Sequence, residues 1–389
     1  MAIMLRKVYF KELKDAFRDQ RTLLLTVLIP IIMMTGLVLF YEFTFFSSSE
    51  GEEYDLAISE GIGDEERTVF QEHENINLIE FADPVDAVIE GEAQAAVIFE
   101  ANFFDKLDTH ETTEVTIYGD TFSRNSSNLI QEVTLALATF ERAVVLERLL
   151  AEGIDHEIIV PFTIEQSEIS EESMPLNLLA MLVPLMLILA IGIGASPSAS
   201  DLFAGEKERK TMEALLMTPV KRSTLLIGKW LAITTIGAVI GIITLLVVLL
   251  EIQFFTEHLL SAFQETENMF LIFAMIALIA IAYAVFSAAI LMLTSIAAKT
   301  VKESQSYSTP VMMIAIVPAM LSQTMGVHEF NLFHFSVPIL NFFTINKELL
   351  LGIINIEHIL IVIGTNLLAG IILFAICRMM FMKDKWVMD

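Results

Sequence analysis

The chain has 389 residues, 55% of them hydrophobic, with 49 acidic against 23 basic side chains and a formal charge of −26. Together with a mean hydropathy of +0.65, this composition excludes a soluble globular protein and indicates an integral membrane protein. The negative balance excludes nucleic acid held by bulk charge, and the single cysteine, Cys377, excludes an intramolecular disulfide.

Residues 1–21 place Lys7, Lys11, Lys14, Arg18 and Arg21 on one helical stripe, with Leu5, Val8, Tyr9, Leu13, Ala16 and Phe17 over much of the opposite surface. The pattern predicts an amphipathic helix on an anionic inner leaflet. A first span is expected in residues 22–46, with its charge-free stretch at 23–41. The residues after that stretch, Glu42 to Phe46, lack a small-residue cleavage pattern, so a retained anchor is expected.

Residues 47–175 hold 31 Asp and Glu against 5 Lys and Arg, a balance of 5 − 31 = −26, and the rest of the chain carries 18 of each sign. Alternation predicts strands at 54–59, 76–81, 95–99 and 115–118, with helices at 83–90 and 125–150. The segment reads as a small α/β domain inserted between the first two spans. Its acid runs, at 50–55 and 64–66, lack the glycine-turned loop of a calcium site and read as solvated surface.

Residues 176–389 supply five more spans. The charge-free windows are 173–200, 230–250, 268–298, 304–327 and 358–377. Gly237 and Gly241 in the second of these predict close helix packing. A further charge-free stretch, 330–346, contains Pro338 and three asparagines, so residues 330–353 are expected to be re-entrant or interfacial. Glu251, Glu267 and Glu357 are placed at span ends. Of the 23 basic residues, 17 fall before the first span, in 201–229, at Lys299 and Lys302, and after Cys377. By the positive-inside rule both termini are cytoplasmic in a plasma membrane, with 47–175 outside. The fold expected is an α-helical membrane protein of six transmembrane helices with an extracytoplasmic α/β insertion.

No Walker A sequence is present: Gly228-Lys229 is followed by Trp230, and Ser223 stands where the first glycine belongs. His328-Glu329 has leucine where a zincin needs its second histidine, and Gly194-Ala195-Ser196-Pro197 lacks the glycine of a nucleophile turn. The informative stretch is 201–229. Met212, Leu215 and Leu216 share one face of a short helix, and Pro219 ends it.

This stretch resembles the signature loop of ABC-2 type permeases, the membrane subunits of one class of ABC exporters. Glu206, Glu208, Arg209, Thr211, Glu213, Leu215, Leu216, Pro219, Gly228 and Lys229 occupy the matching positions. Many members have glycine before the threonine; Lys210 departs from that and resembles the NatB sodium-export subgroup. Residues 86–99 are similar to the outside domain of long permeases, so the resemblance covers essentially the whole chain. It implies a permease homodimer with two copies of a separate ABC ATPase, which would carry the ATP and Mg, and no cofactor in this chain. It also implies a coupling helix over about 206–218, including Met212.

Sodium export is the transport activity that the resemblance implies. Oxygen-bearing side chains within the spans are candidates for an ion path: Ser287, Thr294, Ser295, Gln323, Thr324, Thr365 and Asn366. The same groups serve equally as hydrogen bonds between helices. Export of a lipid, peptide or hydrophobic drug would instead call for a continuous apolar groove. A membrane-anchored receptor would need one span, not six.

Overall fold

The computed structural model describes residues 2–18, 20–43, 54–70, 73, 75–153, 174–256, 260 and 269–386. The acidic run at 50–53 and the starts of the windows at 173 and 268 lie outside the described residues, as do the side chains of Arg21 and Leu23. The chain divides into two compact units, one formed by Met1–Thr44 with Ile169–Asp389 and the other by Phe45–Glu168.

The second unit is built on a four-stranded sheet of order β2-β1-β3-β4, where β1 is Tyr54–Ser59, β2 Ile76–Phe81, β3 Ala95–Phe99 and β4 Val115–Gly119. β1 runs parallel to β2 and β3, and β4 is antiparallel to β3. Successive strand side chains point to opposite faces. Leu56 and Val97 therefore pack with Phe70, Leu129 and Val133 on one face, and Ala57 and Ala96 with Ala87 and Ala93 on the other. The first face is covered by the 28-residue helix Arg124–Ala151, whose Leu129 is fully buried; removing that side chain from water stabilises by about 1.5–3 kcal/mol. The second is covered by Pro84–Glu90. That helix starts on Asp83, which accepts hydrogen bonds from the Val85 and Asp86 amides, and it stops at Gly91 with φ +80°.

The first unit is helical. In chain order it contains α1 (Ala2–Arg18) and α2 (Gln20–Tyr41), then α7 (Met174–Ser200), α8 (Met212–Leu216), α9 (Arg222–Phe255) and α10 (Met269–Ala297). It closes with α11 (Val301–Met313), α12 (Ile316–Gln323), α13 (Leu332–Ser336), α14 (Leu340–Leu350) and α15 (Ile356–Phe381); the labels α3–α6 belong to the second unit, at Asp64–Thr68, Pro84–Glu90, Phe103–Asp108 and Arg124–Ala151. Among the described residues, four helices are long and apolar enough to cross a membrane: Leu179–Glu208, Arg222–Phe255, Met269–Ala297 and Ile356–Phe381. A shorter apolar helical stretch, Leu24–Phe40, exposes Leu24, Leu25, Ile29 and Ile32. Such a row calls for an apolar covering, lipid or protein, rather than water.

One expectation changes. The window at 304–327 is not one helix but two, α11 and α12, parted at Ile314 and Ala315. Pro318 has no amide hydrogen for the Ile314 carbonyl, and the amides of Ala315 and Val317 turn instead to carbonyls three residues back, Met312 and Ile314. Within the segment at 330–353, every residue of α14 from Asn341 to Leu350 is buried. The close packing expected at 237–241 is present, since a Cβ on Gly241 would lie 2.8 Å from Ile191 Cγ1 of α7.

Candidate functional site

The membrane helix α7 does not stop at Ser200. It widens into a π turn, Asp201–Gly205, and adds one further turn, Glu206–Glu208; π turns inside α-helices are concentrated at functional positions. The next residue but one, Lys210, has φ +57°. This left-handed conformation breaks the helix expected to run unbroken over 206–218, so that α8 is a separate five-residue helix. Lysine adopts it at a cost that glycine would not incur, which accounts physically for glycine at this position in many ABC-2 permeases.

Three consecutive side chains at the end of α7 each reach a different helix. Glu206 Oε1 accepts from Lys229 Nζ of α9 at 3.0 Å. Lys207 Nζ donates to the Ile296 and Ala298 carbonyls at the end of α10, at 2.6 and 3.1 Å. Glu208 Oε2 accepts from the Val301 amide that opens α11, at 2.9 Å. Arg209 instead turns back to Asp201 at 2.7 Å, and this hydrogen bond raises the guanidinium pKa further.

Lys229 is the centre of this cluster. It is 0% exposed, donates to the Leu202 carbonyl at 2.9 Å, lies 5.4 Å from the centroid of the Phe203 ring, and meets a second carboxylate, Glu12 Oε1 of α1, at 3.4 Å. Glu12, itself buried, is also paired with Lys11. Burial pulls the Lys11 ammonium down, but the carboxylates of Glu12, Glu206 and Asp15 together outweigh it and the pKa of Lys11 is raised. Gly228 lets α1 approach: a Cβ there would lie 2.6 Å from Val8 Cγ1. The Gly-Lys pair of the sequence thus has two jobs, close contact and a buried cation. Taking a charge out of water costs several kcal/mol, which only good pairing offsets. Neither Glu12 nor Lys207 was singled out by the sequence, because a charge among other charges on an amphipathic helix reads as solvated. A cleft of about 460 Å³ opens beside the cluster, lined in part by Lys11, Asp15, Asp201, Arg209, Thr211 and Leu215.

The apolar face of α8 points into its own helical unit. Met212 is 2% exposed and joins Phe203, Leu226, Ile296 and Phe381, while Leu215 and Leu216 pack against the same core. These three hold the helix against its own chain, with Leu215 and Leu216 remaining partly exposed. The exposed side carries Glu213, Met217, Thr218 and Pro219, with Met217 90% exposed. Thr211 is exposed and donates to the Glu206 carbonyl at 3.2 Å.

The candidate ion-path residues separate into four groups, the last being Ser287 alone. Ser295 is structural: its hydroxyl donates to the Ser200 carbonyl and accepts from the Ala204 amide, bracing the π turn. Thr294 and Thr324 bond within their own helices, and Gln323 is exposed. Thr365 and Asn366, by contrast, meet Asn341 of α14: Asn341 Nδ2 donates to Thr365 Oγ1 at 3.0 Å, and Asn366 Nδ2 to Asn341 Oδ1 at 3.2 Å. Ile339 enters α14 at φ 76°, ψ −58°, a strained γ-turn geometry. Among the described residues, the oxygens of Asn366 Oδ1, Asn346 Oδ1, Ser287 Oγ and Glu251 Oε2 are buried with no hydrogen-bond partner. Glu251, expected at a span end, is 5% exposed within α9 and accepts a hydrogen bond from Thr35 of α2.

With this geometry in place, comparison with known proteins is informative. Residues 6–386 match the family described as ABC-2 family transporter protein. The ABC transporter permease protein NatB of Bacillus subtilis (strain 168) is 38% identical over 386 residues, covering 99% of this chain and 100% of that protein.

Proposed function

The chain belongs to the ABC-2 family of transporter permeases, integral membrane subunits that work with a separate ABC ATPase, and from that premise we propose that it is the permease of an ATP-driven sodium exporter. In this reading two copies pair in the plasma membrane with two ATPase subunits, which hold the ATP and Mg. Both termini face the cytoplasm and residues 47–175 the outside, as the 17 basic residues on one face suggest. The ATPase docks on the exposed side of α8, around Glu213, Met217 and Pro219, and the anchored side passes its displacement to the spans. A rigid element packed on two sides suits this, because packed interfaces switch between discrete arrangements instead of deforming smoothly.

The observation that supports a cation as cargo is a surplus of acceptors. The amide nitrogens of Asn346 and Asn366 both donate, to Phe342 and to Asn341 and Val362, while their oxygens have no donor. An unmatched buried acceptor costs about 1–3 kcal/mol, and a hard cation or water relieves it. A lipid or drug would leave these oxygens unmatched. Sodium efflux from vesicles holding the permease and its ATPase, with ATP and no proton gradient, is the test. ATP-dependent movement of lipid or drug with none of sodium would overturn the cargo assignment.

A further inference from the structure

We propose that Lys207 and Glu208 are positioning residues that make the α10–α11 turn travel with the end of α7, so that a displacement of α8 is delivered to α10 and α11 as well as to α9. This rests on the reading of α8 as the docking element and adds the route its motion takes.

The link from α8 back to α7 has no slack. Only residues 209–211 separate them, and that stretch is held by the Arg209–Asp201 bond, by the Thr211 amide on the Glu206 carbonyl at 2.9 Å and by the Lys210 amide on the Lys207 carbonyl at 2.9 Å. Beyond it, Lys207 and Glu208 hold the two sides of one turn. The last carbonyls of a helix lack amide partners and carry partial negative charge; the first amides carry the opposite sign. A lysine on the Ile296 and Ala298 carbonyls and a glutamate on the Val301 amide are therefore matched in charge to α10 and α11 respectively, and such charge-assisted bonds are about twice as strong as neutral ones.

The turn caps itself in part: Thr300 Oγ1 accepts from the Glu303 amide at 3.1 Å, and Glu303 Oε2 accepts from the Lys299 amide at 2.8 Å. Glu208 takes the Val301 amide, which neither of these reaches, so its bond is at once a cap on α11 and a tie between helices. The tie continues up the seam, where Ser200 meets Ser304 at 2.9 Å and Ser196 meets Ser308 at 3.2 Å, one turn apart on each helix.

The experiment places spin labels at the exposed positions 214 and 302, through Ala214→Cys and Lys302→Cys, in the full permease assembled with its ATPase in vesicles. The 214–302 distance is expected to stay the same between nucleotide-free and ATP-trapped states. In a Glu208→Gln or Lys207→Met background it is expected to shift on trapping ATP, by about 1–2 Å, the scale of helix shifts at switching interfaces, and transport per ATP hydrolysed is expected to fall about tenfold. Lys207→Arg keeps the cation and should restore both readouts. An ATP-dependent distance change without either substitution, or an unchanged distance and coupling ratio in both variants, overturns the proposal. So does loss of folded permease in both variants, since the residues would then be structural. Met217→Glu separates the two readings: if it leaves assembly intact, the docking assignment fails; if it abolishes assembly while both tie variants behave as the unsubstituted chain, only the route fails.

Discussion

Residues 47–175 carry 31 of the 49 acidic side chains, whereas residues 201–229 carry four acids and six bases. Among the described residues of the first segment, the sheet's cores are apolar and the ion pairs, such as Lys106 with Glu100, remain partly exposed. In the second, Lys229 is fully buried and Glu206 nearly so, and each bond they make crosses from one helix to another. Water screens an exposed pair to a few tenths of a kcal/mol, but a buried charge binds its partners strongly or destabilises the fold. Placement rather than number of charges therefore separates a solvated surface from a buried tie between helices.

The contrast is broken most directly at Lys229. Lys229→Met leaves Glu206 buried without its cation and Glu12 with Lys11 alone, and should destabilise the permease by about 3–5 kcal/mol, read as a lower unfolding temperature in detergent. Adding Glu12→Gln and Glu206→Gln should restore part of the loss, because the uncompensated charges are gone. Full stability of the single variant would mean that the cluster is wetter than its burial implies.

The two faces of α8 give a sharper comparison. Met217→Glu should weaken assembly with the ATPase by about 2 kcal/mol, roughly thirtyfold, while the purified permease keeps its unfolding temperature. Leu216→Glu should do the reverse and lower the unfolding temperature first, since that side chain packs on the core. If both substitutions affect assembly alone, the orientation of the helix is wrong.

Smaller effects follow from local geometry. Lys210→Gly relieves a left-handed residue, φ +57°, and should raise stability by about 0.5–1 kcal/mol after the added freedom of the unfolded chain is counted. The smallest effect belongs to the acidic unit. The hydrogen bond from Lys106, then that from Thr113, holds the Glu100 carboxyl below its usual range. A depressed carboxylate contributes stability that is present above its unfolded value, about 4.3, and is lost as pH falls through the folded one. Glu100→Gln should therefore blunt the acid limb of the stability curve slightly and leave transport untouched. A change in transport would show that this surface does more than solubilise.

Much of this was legible in the chain. A span needs about 20 apolar residues, so hydropathy locates the long helices; a strand alternates with period two, so the four strands of the second unit begin where alternation begins. What periodicity does not carry is the identity of the covering surface. Met212, Leu215 and Leu216 share a face in either case, yet that face lies against their own chain. Window 304–327 is apolar enough to read as one span, but Pro318 divides it.

The sequence by itself determined the membrane class, the strand and helix periods and the permease signature, because each depends on neighbours within a few turns of the same element. Only the tertiary structure decided that Glu12 and Glu206 share one lysine, that Lys207 and Glu208 grip two ends of one turn, and that Asn341 meets Asn366. The reason is the same in each case. A polar side chain on a helix is read from the sequence as facing water, and it becomes a joint only when another helix, distant in the chain, removes that water and supplies the partner.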